Sequence, residues 1–212
     1  MTAMGSTATR AGLLAGIAGP IVSWALSVVV IAGWPGYDPV AQSISLLADA
    51  PLGWIQTVAF AISGVLGAAW ALGLPSVLGA SARDRATVRL LLLVQAALAI
   101  GFAVFPTDLE ARGITTTGRI HLVIFYAYAV TMPLTLLAVG LVMRRDPRWH
   151  AARRPTLGAA AIVIGAIVLV PLTLDGPLTP WLGALERLYV AIPSLWQVGV
   201  GAVAWGLARA SR

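Results

Sequence analysis

The sequence predicts an all-α polytopic membrane protein: a bundle of six transmembrane helices with one short amphipathic interfacial helix after the first span. Three observations predict it. Of 212 residues, 59% are hydrophobic and 10% charged, against about 25% charged in soluble domains. The charges gather between apolar runs of about 20 residues, the length that crosses ~30 Å of hydrocarbon as a helix. All fourteen basic residues are arginine, and most lie in the short segments between runs. Membrane topology explains that placement and argues against nucleic acid as the reason for the +6 net charge.

The spans fall at about 12–33, 54–78, 88–105, 120–143, 156–174 and 185–207, within a single domain covering residues 1–212. Only Arg10 precedes the first run, which is long enough to span, so a retained helix is expected rather than a cleaved leader. One face of the bundle receives eleven arginines, including those of "RRDPRWHAARR", and the other receives Arg112, Arg119 and Arg187. The excess of arginine in cytoplasmic loops then places both termini in the cytoplasm. Acidic residues divide the opposite way: Asp84 and Asp146 lie inside, and Asp38, Asp49, Asp108, Glu110, Asp175 and Glu186 outside.

Within the spans, Gly12 with Gly16, Ser23, Ser27, Ser63 and Gln95 read as helix-packing residues. Trp149 and His150, in the arginine-rich loop, read as interfacial anchors. Pro20, Pro133, Pro171 and Pro193 interrupt spans and free backbone carbonyls, which favours an irregular interior.

Between the first two spans, "WPGYDPVAQSISLLADA" carries the polar residues. Asp38 followed by Pro39 is a helix start, with the carboxylate capping free amides and proline at the first helical position. Asp38, Gln42, Ser45 and Asp49 then share one face of a short helix, while Val40, Ile44 and Leu47 share another. An amphipathic helix on the outer leaflet is the expectation.

The other outer segments add charge. Asp108 and Asp175 end outward-running spans, and Arg119 and Arg187 begin returning ones, each the wrong sign for its helix dipole. Pairing with one another is the simplest remedy, which predicts a ring of acid–arginine pairs with His121 among them. Ionisable groups at this depth face the bundle interior or a wet cavity. Glu186, Tyr189 and Gln197 continue inward as a polar stripe along the last span, with Pro193 among them.

"GYDPVAQSISLL", "FPTDLEARGITTTGRIH" and "ALERLYVAIPSLW" resemble the three hallmark blocks of the bacterial integral-membrane family called domain of unknown function 998, in order and spacing. The similarity covers nearly the whole chain and implies a six-helix bundle in the bacterial cytoplasmic membrane. Carried over by position, the motif residues are Tyr37, Asp38, Pro39, Gln42, Ser43, Ser45, Pro106, Asp108, His121, Glu186, Arg187 and Trp196. The resemblance implies a fold and a site without a reaction.

The candidate ligand-binding set is Tyr37, Asp38, Gln42, Ser43, Ser45, Asp108, Arg119, His121, Asp175, Glu186, Arg187 and Gln197. Three functions are compatible with it. The first is binding of a lipid headgroup or small amphiphile. The second is an intramembrane acid–base enzyme acting on a lipid or isoprenoid, with Asp38, Asp108, His121 and Glu186 as catalytic candidates. The third is a small proton-coupled transporter, against which the clustering of acids at one end argues. No cofactor is expected, and a lone histidine on that face makes a metal site unexpected. Membrane lipid or an amphiphilic small molecule is the expected partner, and no oligomeric state follows from the residues.

Overall fold

A computed structural model of the chain describes residues 6–108, 115–174 and 176–210. Among these, the secondary structure is helical throughout. The long helices are α1 (Thr7–Ala32), α2 (Gly53–Val77), α3 (Ala82–Val104), α4 (Thr116–Met143), α5 (His150–Leu169) and α7 (Leu182–Ala210); α6 (Pro171–Leu174) is a single turn. Six segments are long and apolar enough to cross a membrane, as the hydropathy pattern predicts.

The starts of α1, α3 and α4 lie further out than the apolar runs suggest, because polar caps begin them. Ser6 accepts from the amide of Thr9 at 3.1 Å, Ser81 from that of Asp84 at 3.1 Å and Thr115 from that of Gly118 at 3.1 Å. α3 therefore opens at Ala82 rather than at residue 88. The fifth span ends earlier than expected, at Leu169. Pro171 cannot continue the backbone ladder, and α6 forms a separate turn after it.

Each span packs on its neighbours in sequence, and α7 packs on both α5 and α1. The six spans thus close a ring. The α1–α2 side is drawn tight by glycine: a Cβ on Gly12 would lie 2.9 Å from the Cα of Gly73, so no larger residue fits that crossing. Facing side chains such as Leu13, Trp70, Leu136, Val163 and Ala204 are buried inside.

The arginine-rich end is tied by ion pairs. Arg145 bonds Asp84, and Arg148 bonds Asp146 at 2.6 Å. The Asp146 carboxylate also accepts from the amide of Gly79 at 3.1 Å, joining the α2–α3 turn to the α4–α5 turn. The hydrogen bonds from Arg148, ahead of its charge, hold the Asp146 carboxyl below the usual carboxylate range. Trp149 is not an interfacial anchor: it is fully buried in the core, while His150 beside it is exposed.

The connector between α1 and α2 departs from the expected amphipathic helix. A single turn closes from the Asp38 carbonyl to the amide of Gln42 at 2.8 Å. A 3-10 helix then runs Ser45–Asp49. Asp38 does cap the turn, accepting from the amide of Val40 at 2.8 Å. The helix stops because the amides of Ile44 and Leu46 find other acceptors, the Glu186 carboxylate at 2.7 Å and the Ser43 hydroxyl at 3.2 Å. Val30, Tyr37, Ile44 and Leu47 form a small core beneath the connector.

Candidate functional site

α7 positions the centre of the connector end. Gly183 sits where α7 touches the connector, and a Cβ there would lie 2.7 Å from the carbonyl oxygen of Pro39. This close approach lets the amide of Ala184 donate to the carbonyl of Val40 at 2.9 Å. It also brings Glu186 and Arg187 against the connector from one helical turn.

Arg187 is consumed by that contact. Its Nη1 donates to the carbonyls of Pro39 at 2.6 Å, Gln42 at 2.9 Å and Gly183 at 3.1 Å, and its Nη2 donates to the hydroxyl of Tyr37. The guanidinium lies 5.3 Å from the centre of the Tyr37 ring. Tyr37 in turn donates to the carbonyl of Ser43 at 2.6 Å. Burial pushes the Tyr37 phenol up, so it stays protonated as that donor, although the Arg187 bond pulls the other way.

Glu186 points the other way, into the bundle. One carboxylate oxygen accepts from the amide of Ile44 at 2.7 Å, and the other faces the hydroxyl of Ser45 at 3.4 Å. Ser45 lies 3.1 Å from Nε2 of His121, whose Nδ1 lies 2.8 Å from the carbonyl of Phe105. A carbonyl only accepts, so Nδ1 carries the proton and neutral His121 offers Nε2 as an acceptor. The Ser45 hydroxyl therefore holds one proton between two acceptors. Both bonds can form together only when Glu186 or His121 carries a further proton. Ser45 and His121 are buried, and the His121 ring packs 5.0 Å from that of Phe102.

The remaining candidates are placed apart. Asp38 is exposed, and the Gln42 side chain accepts from the amide of Asp38 at 2.8 Å, so both serve the connector's own turn. The Ser43 hydroxyl accepts from the amide of Leu46 at 3.2 Å, within the connector. Asp108 accepts from the amide of Thr115 at 2.8 Å and its hydroxyl at 2.7 Å. Those bonds, the hydroxyl's first, hold the Asp108 carboxyl below the usual range. Arg119 is exposed on α4. Asp175, Glu110 and Arg112 lie outside the described residues.

The expected ring of acid–arginine pairs is absent among the described residues. Both ion pairs found there lie at the opposite, arginine-rich end. Backbone groups supplied the partners instead: carbonyls for Arg187 and an amide for Glu186.

Beneath Glu186 and Ser45 the ring of helices lines a partly open cavity of about 160 Å³. Glu186, Tyr189, Pro193 and Gln197, the stripe predicted on the last span, all line it. So do Ser23, Ser27, Ser63 and Gln95, which the sequence suggested only as packing residues. They are packing residues too: Ser23 and Ser63 join α1 to α2 at 2.7 Å, and Gln95 Nε2 donates to Thr131 on α4 at 2.7 Å. Thr131 spends its own proton on the carbonyl of Ala127, at 2.7 Å. Its oxygen can then only accept, which fixes the orientation of the Gln95 amide. Gln95 Oε1 is left buried and without a donor. The signal in the sequence was the recurrence of Ser23, Ser27, Gln56 and Ser63 in facing spans, which single-span reading does not separate from packing.

A family model described as Protein of unknown function (DUF998) matches residues 17–205, a stretch that contains every one of these side chains. No curated protein and no solved structure matches the chain.

Proposed function

Because this chain belongs to the DUF998 family of proteins of unknown function, we propose that it is an integral membrane protein that binds a small amphiphile inside its bundle. The observation that carries this reading is the cavity under the connector, with apolar walls, hydroxyls and amides along its length and Glu186 at one end. Its volume of about 160 Å³ is near the ~150 Å³ of an engineered apolar cavity that takes up benzene. A ring-sized body suits it, and a whole lipid does not. A phosphate headgroup is disfavoured as well, since Arg187 spends its donors on carbonyls and on Tyr37.

Binding can be read from tryptophan emission, because Trp24, Trp70 and Trp196 line the space. In lipid nanodiscs, benzyl alcohol should change the emission saturably, and Ser63→Phe, which places a ring in the cavity, should abolish the saturable part. A linear response of equal slope in both proteins would contradict the reading.

A second reading is favoured by one contact. Ser45, His121 and the Phe105 carbonyl stand in the order nucleophile, base and orienting acceptor. That order suits acyl transfer, with Glu186 near the same hydroxyl. A fluorophosphonate probe should then label Ser45 in the wild type and fail in His121→Ala. No labelling of the wild type would remove catalysis by this route.

We read the membrane as the bacterial cytoplasmic one, with the arginine-rich end and both termini in the cytoplasm. The chain has no cysteine, so single cysteines report cleanly. An impermeant maleimide on intact cells should label Gly36→Cys and spare Arg83→Cys, and the reverse pattern would invert the topology.

A further inference from the structure

We propose that the cavity selects a small lipophilic ammonium cation, with Glu186 as its counter-charge; this rests on the binding reading above and names its ligand class. Glu186 is the one charged side chain among the described residues that line the cavity. Arg187 follows it in sequence but makes no ion pair with it among the described residues. It is turned to the connector, where its guanidinium bonds carbonyls and Tyr37. The space therefore offers a carboxylate and no cation.

The walls point the same way. Eight lining side chains are aromatic, Trp24, Trp70, Tyr128, Tyr189 and Trp196 among them. Ring faces carry negative potential and attract cations, more strongly when water is excluded. Several hydrogen-bonding groups of the wall are already spent. Trp24 Nε1 donates to Ser194 at 3.1 Å, Tyr189 donates to the carbonyl of Tyr128 at 3.0 Å, and Trp196 Nε1 donates to Thr156 at 2.9 Å. These donors are spent within the wall, and the buried polar atoms of described lining residues left without a partner are one acceptor, Gln95 Oε1, and one donor, Trp70 Nε1. A site of ring faces with one carboxylate repels anions and leaves the carboxylate unmet by a neutral apolar guest. A cation with an apolar body meets both.

The test uses compounds that separate charge from shape, added to the protein in nanodiscs and followed by tryptophan emission. Phenyltrimethylammonium and tert-butylbenzene differ in one atom and in charge, and benzenesulfonate carries the opposite charge on the same ring. The ammonium should bind at least about tenfold more tightly than the hydrocarbon, and the sulfonate should not bind. Glu186→Gln should remove the preference, so that the ammonium binds no more tightly than the hydrocarbon. Equal binding of ammonium and hydrocarbon, or any saturable binding of the sulfonate, overturns the cation proposal and leaves the cavity reading standing. Absence of binding by all three overturns both. Should Glu186→Gln not fold, the wild-type comparison decides by itself, with Ser63→Phe locating the signal in the cavity.

Discussion

Ser45 and His121 meet through their side chains, Oγ to Nε2 at 3.1 Å, although they lie 76 positions apart in the chain. The contact ties the connector to the start of α4, and through Glu186 it also reaches α7. One serine hydroxyl thus faces groups on two helices.

Removing that hydroxyl takes a hydrogen-bond partner from both Glu186 and His121. Ser45→Ala should cost about 1–3 kcal/mol in unfolding in detergent, and Ser45→Thr, which keeps the hydroxyl, should recover most of it. If alanine and threonine gave the same stability, the hydroxyl would not be the link.

Arg187 is a lock rather than a free charge, and its planar fork is what reaches several acceptors at once. Arg187→Lys should lose about 1–3 kcal/mol despite the retained charge. Tyr37→Phe should lose about 1 kcal/mol, since burial of the ring is kept while its hydroxyl bridge goes. The double variant should fall short of the sum, because the two residues share one bond. Strict additivity of the two losses would show that they act separately.

The α1–α2 crossing depends on absent side chains. Gly12→Leu should destabilise the bundle by about 1–3 kcal/mol or displace α1, because the space is already filled by the backbone of Gly73. Gly158→Ala is the control: no atom lies within 4 Å of an added Cβ there, and alanine suits a helix interior better than glycine. The thermal midpoint should drop for the first and hold or rise for the second. Matching drops would refute the packing account.

Asp108 sets a pH dependence with a definite sign. Its carboxyl is held below the usual range by Thr115, so its contribution is complete above the unfolded carboxylate range. That contribution is lost as pH falls through the depressed folded value. Between about pH 5 and about pH 3, the wild-type thermal midpoint should fall more than that of Asp108→Asn. Parallel curves would mean that the Thr115 bonds contribute nothing to folding.

The spans were legible in the sequence because hydropathy alone determines what can lie in lipid. Their ends were less so: Arg83, Asp84 and Arg85 are compatible with a helix yet fall outside an apolar run. Asp38 as a cap was legible from the Asp-Pro pair, a local signal. The fate of the rest of the connector was not, because the amide of Ile44 is taken by a carboxylate 142 positions away. The same limit misled the pairing of charges. Counting acids and arginines cannot see that the carbonyls of Pro39 and Gln42 are the partners waiting for Arg187. The serines of the cavity were visible one by one, but their common space exists only once α1, α2 and α7 close around it.

The central claim is that polar groups at the connector end lead into a space between the helices. Ser63 lies in that space, ten residues below the start of α2 and so about 15 Å into the bundle. Val65, two positions on, is exposed on the outer surface of the same helix. A small water-soluble methanethiosulfonate applied to the protein in nanodiscs should modify Ser63→Cys and spare Val65→Cys. If Ser63→Cys stays unreactive, or reacts no faster than Val65→Cys, the polar space between the helices is not there.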